Sequence, residues 1–370
     1  MQTVDNEQLL CPSDIRHLGY CYQSGIGTEK NEKKAFELYK EAAKRGNTAA
    51  KNDLANCYKN GIGTEKDEVR TFELFKEAAE KGDIDAINNL GKCYQSGIGI
   101  EKDEIRAFEL YKEAAEKGDV NSLHNLGTCY HDGIGTEKDE IRAFELYEKA
   151  AGKGNVSSVY SLGECYYYGT GTEENEIRAF ELYKEAAKKG DIDAINILGR
   201  CYQRTEENEI KAFKLYKEAA EKGNMDAINN LGYCYENGIG TEKDEIRAFE
   251  LYKEAVEKGD IDSINNLGKF YQNGIASEKD EIRAFELYNE AVKGDQIDAI
   301  NNLGECYYYG IGTERDEIKT FELFEAAAKK GHINSIFCLG YCYQHGIGTN
   351  RNEAKAFELY KEYEIFFYCD

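Results

Sequence analysis

A Leu-Gly dipeptide returns along this chain at a nearly constant spacing. Leu18, Leu54, Leu90, Leu126, Leu162 and Leu198 are 36 residues apart, Leu231 follows after 33, and Leu267, Leu303 and Leu339 resume the 36-residue step. A period of this size marks one supersecondary unit copied end to end, and no copy can bury its apolar face alone. The 370 residues would otherwise suggest two or three domains. A repeat array grows along one axis and needs no single large core, so the period overrides that estimate. The expected organisation is a lead-in over 1–14, ten repeats over 15–362 and a cap or tail over 363–370.

One clean repeat runs from Asp83 to Gly118. Ala86, Ile87, Leu90, Gly91 and Tyr94 recur at helical spacing, which predicts a first helix. Gly97-Ile98-Gly99 should end it, since glycine accepts the left-handed geometry of helix C-caps. A second helix is predicted to open at Asp103. That position is Asp or Asn in all ten repeats and the next residue is always Glu, as in Glu104. Asp and Asn are preferred N-caps, and an acidic first turn offsets the positive helix end. Ala107, Phe108, Tyr111, Ala114 and Ala115 form the second apolar stripe, and Gly118 closes the unit. The only proline is Pro12, which agrees with uninterrupted helices. The fold class is therefore all-α, an α/α solenoid of ten helix-turn-helix repeats.

Two places depart from the pattern. The sixth repeat reads CYQRTEENE from Cys201 and lacks the Gly-Ile-Gly loop, so a change of curvature is expected there. The array ends on Ile365-Phe366-Phe367-Tyr368 where a glycine is due. This tail either caps the last repeat or joins another chain. Capping is favoured, because terminal repeats are usually modified to seal the core.

The pattern A-x-x-x-L-G-x-x-Y-x-x-G-x-G, then K/R-A-F-x-L-Y-x-x-A-A-x-x-G, resembles the Sel-one-like repeat family, relatives of tetratricopeptide repeats. Ala86, Leu90, Gly91, Tyr94, Gly97, Gly99, Ala107, Tyr111, Ala114, Ala115 and Gly118 carry it in one unit. The resemblance implies a right-handed superhelix and adaptor or scaffold work in assembling protein complexes. It also admits the repeat region of a larger, kinase-associated signalling protein, although no kinase signature occurs here. Some bacterial relatives carry two cysteines per repeat, whereas this chain has about one.

The chain's net charge of −23 disfavours nucleic acid as partner. No stretch approaches 18 consecutive apolar residues, and the N-terminus lacks the basic and apolar regions of a secretory signal. A cytoplasmic, non-membrane protein is expected. A cysteine-dependent enzyme is the competing reading. Cys21, Cys57, Cys93, Cys129, Cys165, Cys201, Cys234, Cys306 and Cys342 share one repeat position, which Phe270 takes in the eighth repeat. Neighbouring helices pack about 8–10 Å apart, beyond disulfide reach, so these cysteines read as packing. Cys338, Cys342 and His345 lie on one helical face, but structural zinc wants four ligands and a nucleophile wants an orienting third group. The Gly-Ile-Gly loops lack the third glycine of a dinucleotide fingerprint and the Lys-Ser/Thr of a phosphate loop. No catalytic residue, metal site or cofactor is expected.

What varies between repeats points to a binding face. If Leu90 points inward, Asn88, Lys92 and Gln95 lie roughly opposite on the first helix. Related superhelices line their concave wall with this helix, so these columns should face a partner polypeptide. The first column includes Asn52, Asn88, His124, Tyr160, Asn196, Asn229, Asn265, Asn301 and Phe337; Tyr341 stands in the second, Tyr167 and Tyr308 in the third. These twelve residues are the predicted partner-binding set. The three columns hold five Lys or Arg and three Glu, so this stripe is nearly neutral inside an acidic chain. Asparagines can donate to and accept from a peptide backbone, and tyrosines supply rigid contact area. Two aromatic patches stand out: Tyr160, Tyr167 and Tyr168 beside His124 and His131, and Tyr308, Tyr309, Phe337 and Tyr341. A second asparagine column (Asn89, Asn125, Asn230, Asn266, Asn302) is expected to make hydrogen bonds between helices.

Overall fold

The computed structural model of the chain describes residues 10–203 and 208–368. Among the described residues there are twenty α-helices and no strands. The first helices of the ten repeats are Pro12–Ser24, Thr48–Asn60, Ile84–Ser96, Val120–Asp132, Val156–Tyr168, Ile192–Gln203, Met225–Asn237, Ile261–Asn273, Ile297–Tyr309 and Ile333–His345. The second helices are Glu32–Lys44, Glu68–Ala79, Glu104–Glu116, Glu140–Gly152, Glu176–Lys188, Glu209–Glu221, Glu245–Glu257, Glu281–Lys293, Glu317–Lys329 and Glu353–Tyr368. The fold is an all-α solenoid of ten helix pairs. They group into two compact bodies, Met1–Asp191 and Ile192–Asp370, of five pairs each.

Local chemistry sets where each helix starts and stops. The Asp103 side chain accepts a hydrogen bond from the Arg106 amide at 2.9 Å, satisfying one of the free donors of the first turn. Gly97 takes φ 72° as C-cap of the first helix. Gly99 (φ 69°) has a second reason to be glycine: a Cβ there would fall 2.1 Å from the Glu68 carbonyl oxygen, at the start of the preceding repeat's second helix. The loop thus turns the chain and also lets one repeat rest on the backbone of the one before.

The Leu-Gly dipeptide places a large and a small residue side by side. Leu90 is buried, and Gly91 opens room for a tyrosine, since a Cβ on Gly91 would stand 2.7 Å from the Tyr111 ring. Consecutive repeats in each body are joined by an edge-to-face pair between a second-helix Phe and the next first-helix Tyr. Phe36–Tyr58, Phe72–Tyr94, Phe108–Tyr130 and Phe144–Tyr166 do this in the first body at centroid distances of 5.3 to 5.5 Å. Phe213–Tyr235, Phe249–Tyr271, Phe285–Tyr307 and Phe321–Tyr343 do it in the second, at the same spacing. Such pairs add to area burial by about 0.5–1.5 kcal/mol each.

Three boundaries differ from the sequence expectation or escape it. The first helix begins at Pro12, three residues before Ile15, because proline is pre-organised for a first helical turn. The last helix continues to Tyr368 over 16 residues, since no glycine stops it. Tyr363 packs on Phe337 there at 5.3 Å, while the side chains of Phe366, Phe367 and Tyr368, on which the capping expectation rests, lie outside those described. So does the change of curvature expected at the shortened loop of the sixth repeat, residues 204–207, and so do residues 1–9 of the lead-in.

Repeat eight is the least regular. Ala276 stands where other repeats have the second loop glycine, and it keeps a positive φ of 57°. Asp295 is at φ 64°, because Gly294 comes one position early in Val292-Lys293-Gly294-Asp295 and leaves a non-glycine at the left-handed site. Gln296 is the N-cap of the next helix without a side-chain cap bond. Ser263 Oγ and Gln296 Oε1 are buried without a hydrogen-bond partner.

Candidate protein-binding face

The helical wheel opposes Asn88 to Leu90, yet both are buried in the structure. A first helix packs against its own second helix and also against the first helices of neighbouring repeats, so the side facing away from leucine is covered in part. Asn52, Asn88, Asn196, Asn265 and Asn301 are all buried, and Asn229 is half-buried. The second asparagine column closes over them, as expected for hydrogen bonds between helices. Asn89 Nδ2 donates to Asn52 Oδ1 at 3.0 Å and Asn125 Nδ2 to Asn88 Oδ1 at 2.7 Å in the first body. In the second body Asn230, Asn266 and Asn302 donate to Asn196, Asn229 and Asn265 at 3.0, 3.1 and 2.7 Å. In two repeats where alanine gives way to serine the hydroxyl adds a bond, Ser122 Oγ to Asn88 Oδ1 at 3.0 Å and Ser335 Oγ to Asn301 Oδ1 at 2.8 Å, whereas Ser263 Oγ at the same position finds no partner. The asparagine ladder thus sets register between repeats and forms the floor of the face.

The third column has its own internal use. Tyr39, Tyr111, Tyr216, Tyr288 and Tyr360 donate their hydroxyls to Gln23, Gln95, Gln203, Gln272 and Gln344 at 2.7 to 2.8 Å. In the ninth repeat the partner tyrosine is replaced by Phe324, which has no hydroxyl, and the third column there holds Tyr308 rather than glutamine. Repeat two makes a similar exchange with Phe75 and Lys59, and repeats four, five and seven keep the tyrosine but hold His131, Tyr167 and Glu236 in the third column.

Each body has a cleft beside its aromatic patch; the second holds Tyr308, Tyr309, Phe337 and Tyr341, whereas Tyr160 and Tyr167 do not line the first. In the first body His124, His131, Glu164 and Tyr168 line a cleft of about 310 Å³ together with Thr128, Asp132, Tyr147 and Ser161. Tyr167 stacks edge-on against Tyr168 at 4.8 Å, and Tyr160 donates to Glu164 Oε1 at 3.0 Å. His124 takes the ladder position of asparagine, with Nδ1 3.0 Å from Ser158 Oγ. Burial lowers its pKa, and nearby Lys92 adds to the shift, so the imidazole is held neutral. In the second body Glu305, Tyr308, Tyr309, Phe324, Phe337, Cys338, Tyr341 and Cys342 line a cleft of about 330 Å³. Tyr309, Phe337 and Tyr341 are 57%, 46% and 38% exposed, so their rings are open to a partner. Asp132, Tyr147, Phe324 and Cys338 were not in the sequence-derived set, because the facing repeat that brings them in is set by packing.

Eleven described cysteines are free thiols. Burial raises Cys342 to about 12 and Cys93 and Cys338 to about 11, so they remain protonated and weakly nucleophilic. Cys57, Cys93, Cys129, Cys165, Cys234, Cys306, Cys342 and the substituting Phe270 are buried between helices, where they act as core. Among the described residues no group of three or more His, Cys, Asp or Glu is placed to hold a metal ion, and no helix is long and apolar enough to cross a membrane.

Helix pairs punctuated by glycines, repeated through both bodies, define a helical-repeat solenoid protein. The family model for the Sel1 repeat matches residues 15–47, 48–83, 84–119, 120–155, 156–191, 192–224, 226–260, 261–295, 297–332 and 335–362. The chain belongs to the Sel1 repeat family. Sel1 repeats commonly mediate protein–protein interaction, and the family is typically non-enzymatic. Among solved structures, a protective antigen present in uropathogenic Escherichia coli strains, displaying an SLR fold, is 29% identical over 95% of this chain and 76% of its own, with a TM-score of 0.65. A Sel1 repeat protein from Oxalobacter formigenes is 29% identical over 66% of this chain and 99% of its own, with a TM-score of 0.57. Comparison with curated proteins gives no match.

Proposed function

We propose that this chain is a non-catalytic adaptor or scaffold that holds partner polypeptides along the face lined by its first helices. The observation that carries this reading is the gathering of varying aromatic positions in and beside two clefts on that face, while the invariant positions are spent on packing. His124, Tyr160, Tyr167, Tyr308, Phe337 and Tyr341 are the contact residues. Asn52, Asn88, Asn196, Asn229, Asn265 and Asn301 lie beneath and hold the repeats in register, so the contact rings keep their spacing. Buried aromatic anchors are where most interfaces concentrate binding energy. The net charge of −23 supports a polypeptide partner over a nucleic acid. Free, protonated thiols suit a reducing compartment, and we place the protein in the cytoplasm.

The test is affinity capture of partners by the full chain, with cross-linking mass spectrometry to locate them. Cross-links should concentrate on the first helices of repeats four, five, nine and ten. A variant carrying Tyr160→Ala, Tyr167→Ala, Phe337→Ala and Tyr341→Ala should lose at least tenfold in capture while keeping its helical circular dichroism. Undiminished capture by that folded variant, or cross-links confined to the second helices, overturns the proposal.

A further inference from the structure

In the second body, the cleft between repeats nine and ten joins a carboxylate to several open aromatic rings. Tyr308 stands edge-on to Tyr309 at 4.7 Å and to Tyr341 at 6.3 Å, roughly perpendicular to both rings. Glu305 lines the same cleft and is half-buried. It accepts a hydrogen bond from Asn301 Nδ2 at 3.1 Å. An amide donor satisfies lone pairs but does not neutralise charge, and Glu305 is in no ion pair among the described residues. The other cleft holds the matching carboxylate, Glu164, but of the tyrosines in the same Glu-Cys-Tyr-Tyr-Tyr run at 164–168 only Tyr168 lines it. Glu164 accepts from the Tyr160 hydroxyl at 3.0 Å, and the lining adds His124, His131 and Asp132 in place of a second open tyrosine ring.

We infer that the Glu305 cleft takes the guanidinium of an arginine in the partner polypeptide, stacked on the exposed rings of Tyr309 and Tyr341 and hydrogen-bonded to the Glu305 carboxylate. This rests on the scaffold reading above and names the chemistry of its partner. Ring faces carry negative potential and attract a cation within about 6 Å of the centroid. A planar guanidinium stacks on aromatic faces, is more weakly hydrated than an ammonium and matches a carboxylate with paired donors, so arginine fits better than lysine. An aliphatic side chain would complete the burial of Glu305 with no countercharge, which is costly. At about 330 Å³ the space is at the small end of ligand sites and suits a single side chain.

Saturation-transfer NMR titration with three Gly-Ser nonapeptides tests this, each carrying arginine, its neutral isostere citrulline, or leucine at the centre. The full chain should bind the arginine peptide at least tenfold more tightly than the other two. Glu305→Gln should erase the arginine-over-citrulline preference while melting temperature and circular dichroism stay unchanged, and Glu164→Gln should leave the preference intact. Equal binding of arginine and citrulline by the unaltered chain, no binding of the arginine peptide, or a preference that survives Glu305→Gln overturns the inference. The two proposals fail separately. Cross-links on the first helices without arginine preference remove the charge assignment and keep the scaffold. Arginine selectivity with cross-links elsewhere does the reverse.

Discussion

A single methyl group shows how tightly the repeat is specified. Gly99 combines φ 69° with a Glu68 carbonyl oxygen 2.1 Å from where a Cβ would stand. Gly99→Ala adds left-handed strain to a clash with backbone that cannot swing aside, and should cost on the order of 3 kcal/mol in urea denaturation. Repeat eight has already made this change. Ala276 carries φ 57°, and Ala276→Gly should stabilise the second body by about 1 kcal/mol. At His124 the residue-scale effect is a pH dependence. Burial depresses its folded pKa below the ordinary histidine value of 6.5. The unfolded chain therefore binds the proton first, and stability, unaffected above about pH 7, falls as pH drops through 6.5 toward the folded value. His124→Asn, which restores the residue most repeats use, should remove this part of the acid sensitivity. Thermal melts of the two proteins at pH 7.5 and 5.5 measure it.

At the scale of the helix, ends matter more than interiors. Each second helix is announced by Asp or Asn, and Asp103 makes the cap bond that its position promises. Asn208, at the start of the loop-deleted repeat, makes no cap bond to the helix it precedes and instead accepts from Lys211 Nζ at 3.2 Å. Asp103→Ala should cost about 1 kcal/mol and Asn208→Ala clearly less. Comparable losses in denaturant melts would contradict this account of the sixth repeat. Helix positions were legible in the sequence to within a few residues, because capping is local chemistry. Pro12 and the overlong last helix were not: the apolar pattern of the first helix begins only at Ile15, after the proline that starts it, and no glycine marks the end of the last.

Across the whole molecule, a stack of repeats draws its stability from each unit and its nearest neighbours. Local opening should then follow local defects. Repeat eight and its junction with repeat nine gather two non-glycine residues at positive φ and two buried polar atoms without partners. Native-state hydrogen exchange should therefore show the earliest opening in the second body across residues 274–296. Uniform protection across that body would show that these defects are offset by packing. The binding face also belongs to this scale. Its aromatic members sat at recognisable positions in the sequence, but whether a column residue faced outward or a neighbour depended on helices 36 residues away.

The sequence by itself determined the repeat length, the number of repeats, the two helices of each and the glycine and capping residues between them. All of these follow from interactions within a few residues, where spacing in the chain is spacing in the structure. Only the tertiary structure decided that the asparagine ladder is buried rather than presented, that Tyr–Gln pairs occupy half of the third column, and that Glu305 shares a cleft with three open rings. Those outcomes depend on how one first helix is covered by the next. In a repeat array the same residue is a contact surface or a core residue according to what its neighbour places against it.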